Sequence, residues 1–459
     1  MSPERRRLHP AAIAVYALAA LREAALPLVA LFVLRGFDDP GALERGLLYA
    51  AAGTAIAAVL GFLRWRTTEW WVTEDAIHHR RGLVAIKETD VPLTRVQALD
   101  LEQGPVQRLF GVQSVHVQTG GGGARGEIVL EALDAREIAE LQALLAGRQV
   151  EEAPVAGVRR RLGERELLLT ALTAGQLGVI LPVLAGAGQI VSQLLEDEGF
   201  AVLGLVPDSP LEIALVVAGL VVAAWLLSMA GTVVAFAGFT VTREASRLRV
   251  RRGLFARREA TVPVGRVRAV VVVEGVLRRP LGLAALRIEV IGHAEEPAAA
   301  RTLFPLLRRD EVRDFLVELL PEFDDALDGL EPLPARAAAR YALWPVAGAL
   351  AVAGAAFFTP VGPWALLLVP AAAAYGLARH RAAGWRLRDG RLAVRSLMVA
   401  RRTVLAPARH RESHALVQTV LQRRASLADV EVAFGKQTAA RVHHLEAATA
   451  RTLFERLAT

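Results

Sequence analysis

The chain has 459 residues, 53% of them hydrophobic and 22% charged, with a formal net charge of +7 and no cysteine. Without cysteine there are no disulfides, thiolate metal centres or cysteine nucleophiles. The length is room for about three domains, and the basic excess points to nucleic acid or an anionic membrane surface; apolar and charged residues fall in separate blocks, which favours the membrane.

A helix needs about 20 mainly apolar residues to cross a bilayer, and six stretches qualify in three pairs: roughly 11–34 with 43–63, roughly 167–193 with 211–237, and roughly 339–358 with 361–378. The first is too long for a cleavable signal and has no small-residue cleavage site after it. The last pair is joined by Thr359-Pro360-Val361-Gly362-Pro363 and has a competing reading as a buried hairpin of a soluble domain, but it carries no charge between Tyr341 and Ala378. Arginines flank the spans at Arg5 to Arg7, Arg64 and Arg66, Arg159 to Arg161 with Arg165, and Arg379 with Arg381. The loop between the third and fourth spans holds Glu196, Asp197, Glu198 and Asp208 with no Arg or Lys, and the loop at 359–363 has no charge. By the positive-inside rule both termini and all polar segments face the cytoplasm.

The predicted organisation is therefore a helix pair over 1–65, a polar domain over 66–150, a linker and second pair over 151–237, a second polar domain over 238–325, a linker and third pair over 326–383, and a third polar domain over 384–459. Each pair opens with a proline-containing helix (Pro27, Pro182, Pro345), which reads as an inherited unit or as a transport hinge. Arg22 and Glu23 interrupt the first span; ionisable groups at membrane depth mark function by default, and the plainer alternative places them at the headgroup level, where arginine can snorkel.

The polar segments repeat one another. Arg81-Gly82-Leu83 precedes Pro92-Leu93-Thr94-Arg95-Val96, and Gly111 follows; Arg252-Gly253-Leu254 precedes Pro263-Val264-Gly265-Arg266-Val267, and Gly282 follows; Arg395-Ser396-Leu397 precedes Pro407, with Ser426 in the glycine position and His410 where the others have arginine. Gly104-Pro105-Val106-Gln107-Arg108 matches Gly275-Val276-Leu277-Arg278-Arg279 and Thr419-Val420-Leu421-Gln422-Arg423. Period-two alternation predicts strands at Val115–Val117, Arg247–Arg251, Leu286–Val290 and Val430–Val432. Gly82 and Gly253 mark hairpin turns, and glycines 120–123 a hairpin loop rather than a phosphate loop, since no Lys-Ser/Thr pair follows. Each segment ends in an amphipathic helix, the first opened by an Asp134/Glu137 capping box. Six or seven strands and a helix predict a small barrel plugged at one end.

These residues, above all Arg81-Gly82-Leu83, Pro92-x-x-Arg95-Val96 and Gly104 to Gly111 with their second copies at Pro263, Arg266 and Gly282, resemble bacterial membrane proteins with pleckstrin-homology (PH)-like domains, the YdbS/YdbT-like group, in its longer three-domain form. The resemblance implies a PH-like fold, a plasma-membrane location, a role in envelope stress resistance, and as partner a smaller membrane protein with a single such domain. It implies no reaction. The fold class expected is thus membrane α+β: six transmembrane helices in three hairpins, each followed by a cytoplasmic PH-like barrel with a C-terminal helix.

The basic residues are the functional lead. Arg81, Arg95, Arg252, Arg257, Arg258, Arg266 and Arg268 are the candidate contacts for anionic lipid headgroups or an acidic protein partner, since an anionic leaflet attracts each nearby cation by about 1 kcal/mol; solvated strand faces plus the topology signal are the competing account. The adjacent pairs His78-His79 and His443-His444 point to opposite strand faces and hold no metal. No Ser-His-Asp spacing, nucleophile elbow or His-Glu-x-x-His occurs, so neither an enzyme nor a cofactor is expected. Few aromatics interleave the arginines, which disfavours nucleic acid. A lipid or small-molecule transporter built from the kinked helices is the alternative function, with Arg22 and Glu23 facing a polar cavity as its mark.

Overall fold

The structure is a computed structural model that describes residues 5–21, 23, 42–83, 85–119, 128–146, 157–173, 209–290, 301–324, 327–357, 362–435 and 438–458. They fall into two compact units, Met1–Thr261 and Val262–Thr459.

In the first unit, helix α1 (Ala12–Leu21) leads, after residues outside the description, to α2 (Ala42–Arg66). A four-stranded antiparallel sheet follows, β1 (Arg6–Arg7), β2 (Glu69–Val72), β3 (Ala76–Arg81) and β4 (Lys87–Pro92), in that order. A 3₁₀ turn at Leu93–Arg95 redirects the chain into β5 (Val96–Gln103), the short helix α3 (Pro105–Leu109), β6 (Gln113–Thr119), β7 (Ile128–Leu133) and α4 (Ala135–Ala146). The core between them is apolar by alternation: Trp70, Ile77, Val91, Val115, Val117, Ile128 and Leu130 point inward, and Ile138, Leu141 and Leu145 of α4 close it. The expected capping box is formed, Asp134 Oδ1 accepting from Glu137 N at 2.7 Å and Glu137 Oε2 from Asp134 N at 3.0 Å. After β8 (Arg159–Arg161) and α5 (Glu164–Thr173) comes α6 (Pro210–Phe236), and then β9 (Thr240–Glu244), β10 (Arg247–Arg252) and β11 (Arg257–Pro263).

The second unit repeats the scheme with β12 (Val267–Glu274), β13 (Leu283–Val290), β14 (Thr302–Arg308) and α7 (Val312–Leu319), then β15 (Glu331–Pro332), α8 (Ala337–Ala356), α9 (Gly362–Ala365) and α10 (Leu368–Ala382). It ends in β16 (Gly384–Arg388), β17 (Arg391–Leu397), β18 (Arg401–Pro407), β19 (Ser413–Val417), α11 (Val420–Arg424), β20 (Leu427–Ala433), β21 (Ala439–Glu446) and α12 (Ala447–Ala458). Its core gathers Leu427, Val430, Val432, Phe434, Val442 and Leu453 with Tyr341 from the start of α8.

One expectation is corrected and another is matched in part. The polar segments are not closed barrels. One sheet runs β7-β6-β5-β11-β10-β9-β8 and another β14-β13-β12-β18-β17-β16-β15. The fifth strand of one segment pairs antiparallel with the fourth strand of the next, because an edge left open would expose a row of unpaired backbone groups. The sequence periodicity shows which strands exist, but not that their edges are shared.

The six expected spans are matched in part. Among the described residues two helices are long and apolar enough to cross a bilayer, Leu48–Arg66 within α2 and Ala214–Phe236 within α6. The first and third expected spans lie largely outside the described residues, with Arg22, Pro27 and Pro182; Glu23 is helical and exposed. The sixth is broken into α9 and α10, because Pro370 in the first turn of α10 restarts the helix. Pro345 lies inside α8 as expected. Helices α8 and α10 approach so closely that a Cβ on Gly376 would stand 2.5 Å from Ala342 Cα. The glycine loop 120–123 lies outside the described residues.

The motif residues explain themselves structurally. Gln107, Arg278 and Gln422 are buried. Gln107 Nε2 donates to Ser114 Oγ at 2.6 Å and to the Glu131 carbonyl at 2.9 Å, Arg278 donates to the Pro305 carbonyl at 3.0 Å, and Gln422 reaches Asp429 and His444. Each pins its short helix or turn onto the strands behind. Gly111 (φ +69°), Gly282 (φ +64°) and Ser426 (φ +52°) share one left-handed position. A Cβ at either glycine would meet nothing within 4 Å, so the cost of serine there is backbone strain alone, about 1 kcal/mol. Ser426→Gly is expected to stabilise the second unit by about 0.5–1 kcal/mol and Gly282→Ala to destabilise it by about as much, read by thermal unfolding of the full chain in detergent.

Candidate anion-binding groove at the foot of a membrane-length helix

Helix α6 ends at Phe236, and Gly238 (φ +64°) turns the chain into β9. On β10, Leu248 and Val250 are buried while Arg247, Arg249 and Arg251 take the other face. The β10–β11 hairpin then turns at Gly253. With φ +103° and a virtual Cβ 1.9 Å from the Ala256 carbonyl oxygen, that position admits only glycine; Gly82 is its twin in the β3–β4 hairpin (φ +134°, 1.9 Å from the Ala85 carbonyl).

The hairpin is fastened to the last turn of α6: Gly253 N donates to the Ala237 carbonyl at 2.9 Å, and Leu254 N to the Val234 carbonyl at 2.9 Å. Its tip therefore lies beside the helix end, with Leu254 and Phe255 exposed. In the second unit the β17–β18 tip is held likewise. Tyr375 of α10 donates to the Met398 carbonyl at 3.2 Å and Arg379 to the Leu397 carbonyl at 3.0 Å, leaving Met398 and Val399 exposed.

Between this hairpin, β8, β5 and α3 lies a groove of about 600 Å³, bordered by Ala237 and Gly238 at the helix end. Seven guanidiniums line it, from Arg108, Arg159, Arg161, Arg251, Arg252, Arg257 and Arg258, against the single carboxylate of Glu259. Some of this charge is already matched. Glu259 pairs with Arg251 at 2.8 Å and with Arg249 at 3.4 Å, Glu102 holds Arg258 at 2.7 Å, and Arg252 lies over the Phe236 ring at 5.9 Å. Arg108, Arg159, Arg161 and Arg257 are exposed and make no ion pair among the described residues.

The second unit shows what Arg257 lacks. At its seam Arg401 faces Glu274, as Arg257 faces Gln103 in the first. Glu274 is 2% exposed and neutralises both Arg401 and Arg309, the latter at 3.4 Å. Gln103 instead spends its amide on the Val112 carbonyl at 3.2 Å. At this repeat position an amide leaves Arg257 without an ion pair, and a carboxylate gives Arg401 one.

Of the arginines predicted from sequence, the structure brings together Arg252, Arg257 and Arg258. Arg81 is exposed across from Lys87 on the β3–β4 hairpin, and Arg95 is exposed at the end of its 3₁₀ turn. Arg266 and Arg268 belong to the second unit; burial lowers the Arg266 guanidinium below its usual pKa, and the Arg268 Nε is buried without a hydrogen-bond partner. Sequence reasoning missed Arg108, Arg159 and Arg161 as site residues, reading 159–161 as an orientation signal; their place follows from β8 pairing with β9, Arg159 opposite Thr242 and Arg161 opposite Thr240. The Gln103/Glu274 difference was visible in the repeat, both lying eleven residues past their prolines.

His78 and His79 take the opposite faces that alternation gives them, but His443 and His444 do not: His444 has φ +56° beside a register shift of the β20–β21 pair, and both rings reach Asp429. His78 bonds Asp90 at 2.5 Å and stacks on Trp71, while His79 is buried, and burial followed by the Arg81 charge pushes its pKa down to about 4. His443 bonds Asp429 at 2.8 Å.

A family model described as bacterial PH domain matches the chain three times, over 16–149, 179–322 and 343–459, each match spanning helix and polar segment. The UPF0699 transmembrane protein YdbT of Bacillus subtilis (strain 168) is 23% identical over 488 residues, an alignment covering 99% of this chain and 97% of that one. No solved structure matches. With the apolar helices and the threefold repeat of the strand-and-helix unit, these matches show that the chain belongs to the bacterial PH domain family of membrane proteins, in a form carrying three copies of the domain.

Proposed function

We propose that the protein is a non-enzymatic scaffold or sensor of the bacterial inner membrane, crossing it six times with both termini and the three PH-like segments on the cytoplasmic side, and that its groove at the foot of α6 binds a phosphate-bearing anionic lipid headgroup. The observation that carries this reading is the set of four open guanidiniums beside the end of a membrane-length helix. A groove tethered there cannot leave the leaflet surface, where each cation gains about 1 kcal/mol from anionic lipid. The apolar tips at Leu254–Phe255 and Met398–Val399 lie at the depth of the last helix turns, and the acyl boundary covers them. Binding at this point couples the chain to the anionic lipid content of the leaflet, a route to the envelope-stress role that the resemblance implies.

The test uses a seam position where one repeat has glutamine and the other glutamate. Gln103→Glu gives Arg257 a partner while keeping side-chain volume, and is expected to weaken binding of dihexanoyl phosphatidylglycerol to the full chain in neutral detergent about tenfold, with a small loss of thermal stability because position 103 no longer donates to the Val112 carbonyl. Undiminished binding would count against the groove.

A further inference from the structure

We propose that copies of this chain join head to tail through their two outermost sheet edges, β4 (Lys87–Pro92) of one copy pairing antiparallel with β19 (Ser413–Val417) of the next. The chain makes this contact twice within itself. In the first unit β11 pairs with β5, and in the second β18 pairs with β12. By the repeat, β11 and β18 are the fourth strands of their segments, as β4 is of the first. Likewise β5 and β12 are fifth strands, as β19 is of the third.

The register is the same in both seams. Arg258, five residues before Pro263, faces Glu102, six residues after Val96; Arg402, five residues before Pro407, faces Val273, six residues after Val267. Three segments in one chain use two fourth strands and two fifth strands, which leaves one of each. Those are β4 and β19, each standing at the end of its sheet among the described residues.

The leftover edges fit that register. Counting from Pro92 and Pro407, Lys87 falls opposite Val417, Glu88 opposite Leu416, Thr89 opposite Ala415 and Asp90 opposite His414. No like charges oppose one another, and a cation facing valine has its precedent in Arg402 facing Val273. Strand β19 has no Lys, Arg, Asp, Glu or Pro from Ser413 to Val417, and Val417 is 46% exposed, so it lacks the devices that blunt a solvent edge. The charges on β4 do not disqualify it, since β11 and β18 carry Arg257, Arg258, Arg401 and Arg402 and are paired. A second copy is the occupant because this chain supplies both halves of the joint. The contact is heterologous, so it propagates into a chain or closes into a ring.

The absence of cysteine makes the test clean. Directly opposed residues of an antiparallel pair stand about 4.5–5.5 Å apart between Cα atoms, within disulfide reach. Thr89→Cys on one tagged full-length copy and Ala415→Cys on another, co-expressed and oxidised in membranes, are expected to give a cross-linked dimer carrying both tags. A chain carrying both cysteines is expected to give a ladder of multimers. Ala415→Pro, which removes a ladder N–H at the edge, should reduce the detergent-extracted protein to a single chain by native mass spectrometry while leaving its melting temperature within a few degrees. A disulfide confined to one chain, no cross-link between copies, or capture of an unrelated protein at position 415 in place of a second copy would each overturn the proposal. Because phosphatidylglycerol binding is scored separately, failure here leaves the headgroup reading standing, and the reverse holds as well.

Discussion

Replacing Arg108, Arg159, Arg161 and Arg257 together with alanine is expected to cost the full-length chain about a thousandfold in affinity for dihexanoyl phosphatidylglycerol. The four guanidiniums line one groove of about 600 Å³ at the end of α6 and lack carboxylate partners among the described residues. Each is set against the roughly 1 kcal/mol that a cation gains at an anionic surface, and about 4 kcal/mol corresponds to three orders of magnitude in Kd. All four are exposed, so their removal leaves no cavity and the melting temperature should hold. Titration calorimetry of the purified chain in neutral detergent measures the effect. Arg423→Ala with Arg424→Ala, two exposed arginines on α11 of the third segment, is the matched control and should change little. Raising salt toward 1 M, where the screening length falls to about 3 Å, should reproduce the loss in the unaltered chain. Equal losses from groove and control would mean that charge anywhere on the surface suffices, and the groove would lose its standing.

The second large effect belongs to the other seam. Glu274→Ala is expected to destabilise the Val262–Thr459 unit by about 3–5 kcal/mol. Glu274 is 2% exposed and sits between Arg401, itself 15% exposed, and Arg309. Removing the carboxylate leaves Arg401, mostly desolvated, without its partner, while Arg309 keeps Asp328 at 2.7 Å. For a unit of this size that corresponds to a fall of roughly 10 °C in melting temperature, seen by differential scanning calorimetry of the detergent-solubilised chain. Glu274→Gln combined with Arg401→Gln should recover most of the loss, since both charges of the pair are then gone, and the double-mutant cycle isolates the pair. A change under about 1 kcal/mol for the single variant would show that Glu274 is not what neutralises the seam.

The contrast between Gln103 and Glu274 ties the two expectations together. The same repeat position, faced by Arg257 in one seam and Arg401 in the other, holds an amide in the first and a carboxylate in the second. The amide leaves Arg257 without a carboxylate partner, and the carboxylate gives Arg401 one.

Much of the architecture was legible in the residues. The alternation at Arg247–Arg251 put Leu248 and Val250 inside and the arginines outside; the Asp134/Glu137 spacing announced α4; Gly82 and Gly253 marked turns that accept no side chain; and Gly111, Gly282 and Ser426 marked one left-handed corner three times over. These are local features, set by steric limits on φ and ψ, by capping and by side-chain period, and each repeat copy restates them. The candidate arginines of the hairpin, Arg252, Arg257 and Arg258, could be named for the same reason, since they flank a turn that the sequence marks.

What the chain order could not disclose was partnership between distant edges. That β5 ends against β11, that β8 brings Arg159 and Arg161 beside the hairpin, and that Arg108 of α3 joins them are facts of strand pairing over separations of some 50 to 150 residues. Backbone hydrogen bonds carry no residue code, so a strand's periodicity reports its faces and is silent about its edges. The sequence by itself determined three membrane-bound repeats with basic hairpins. Only the tertiary structure decided that the repeats share sheets, and through that sharing which arginines are neutralised and which remain open.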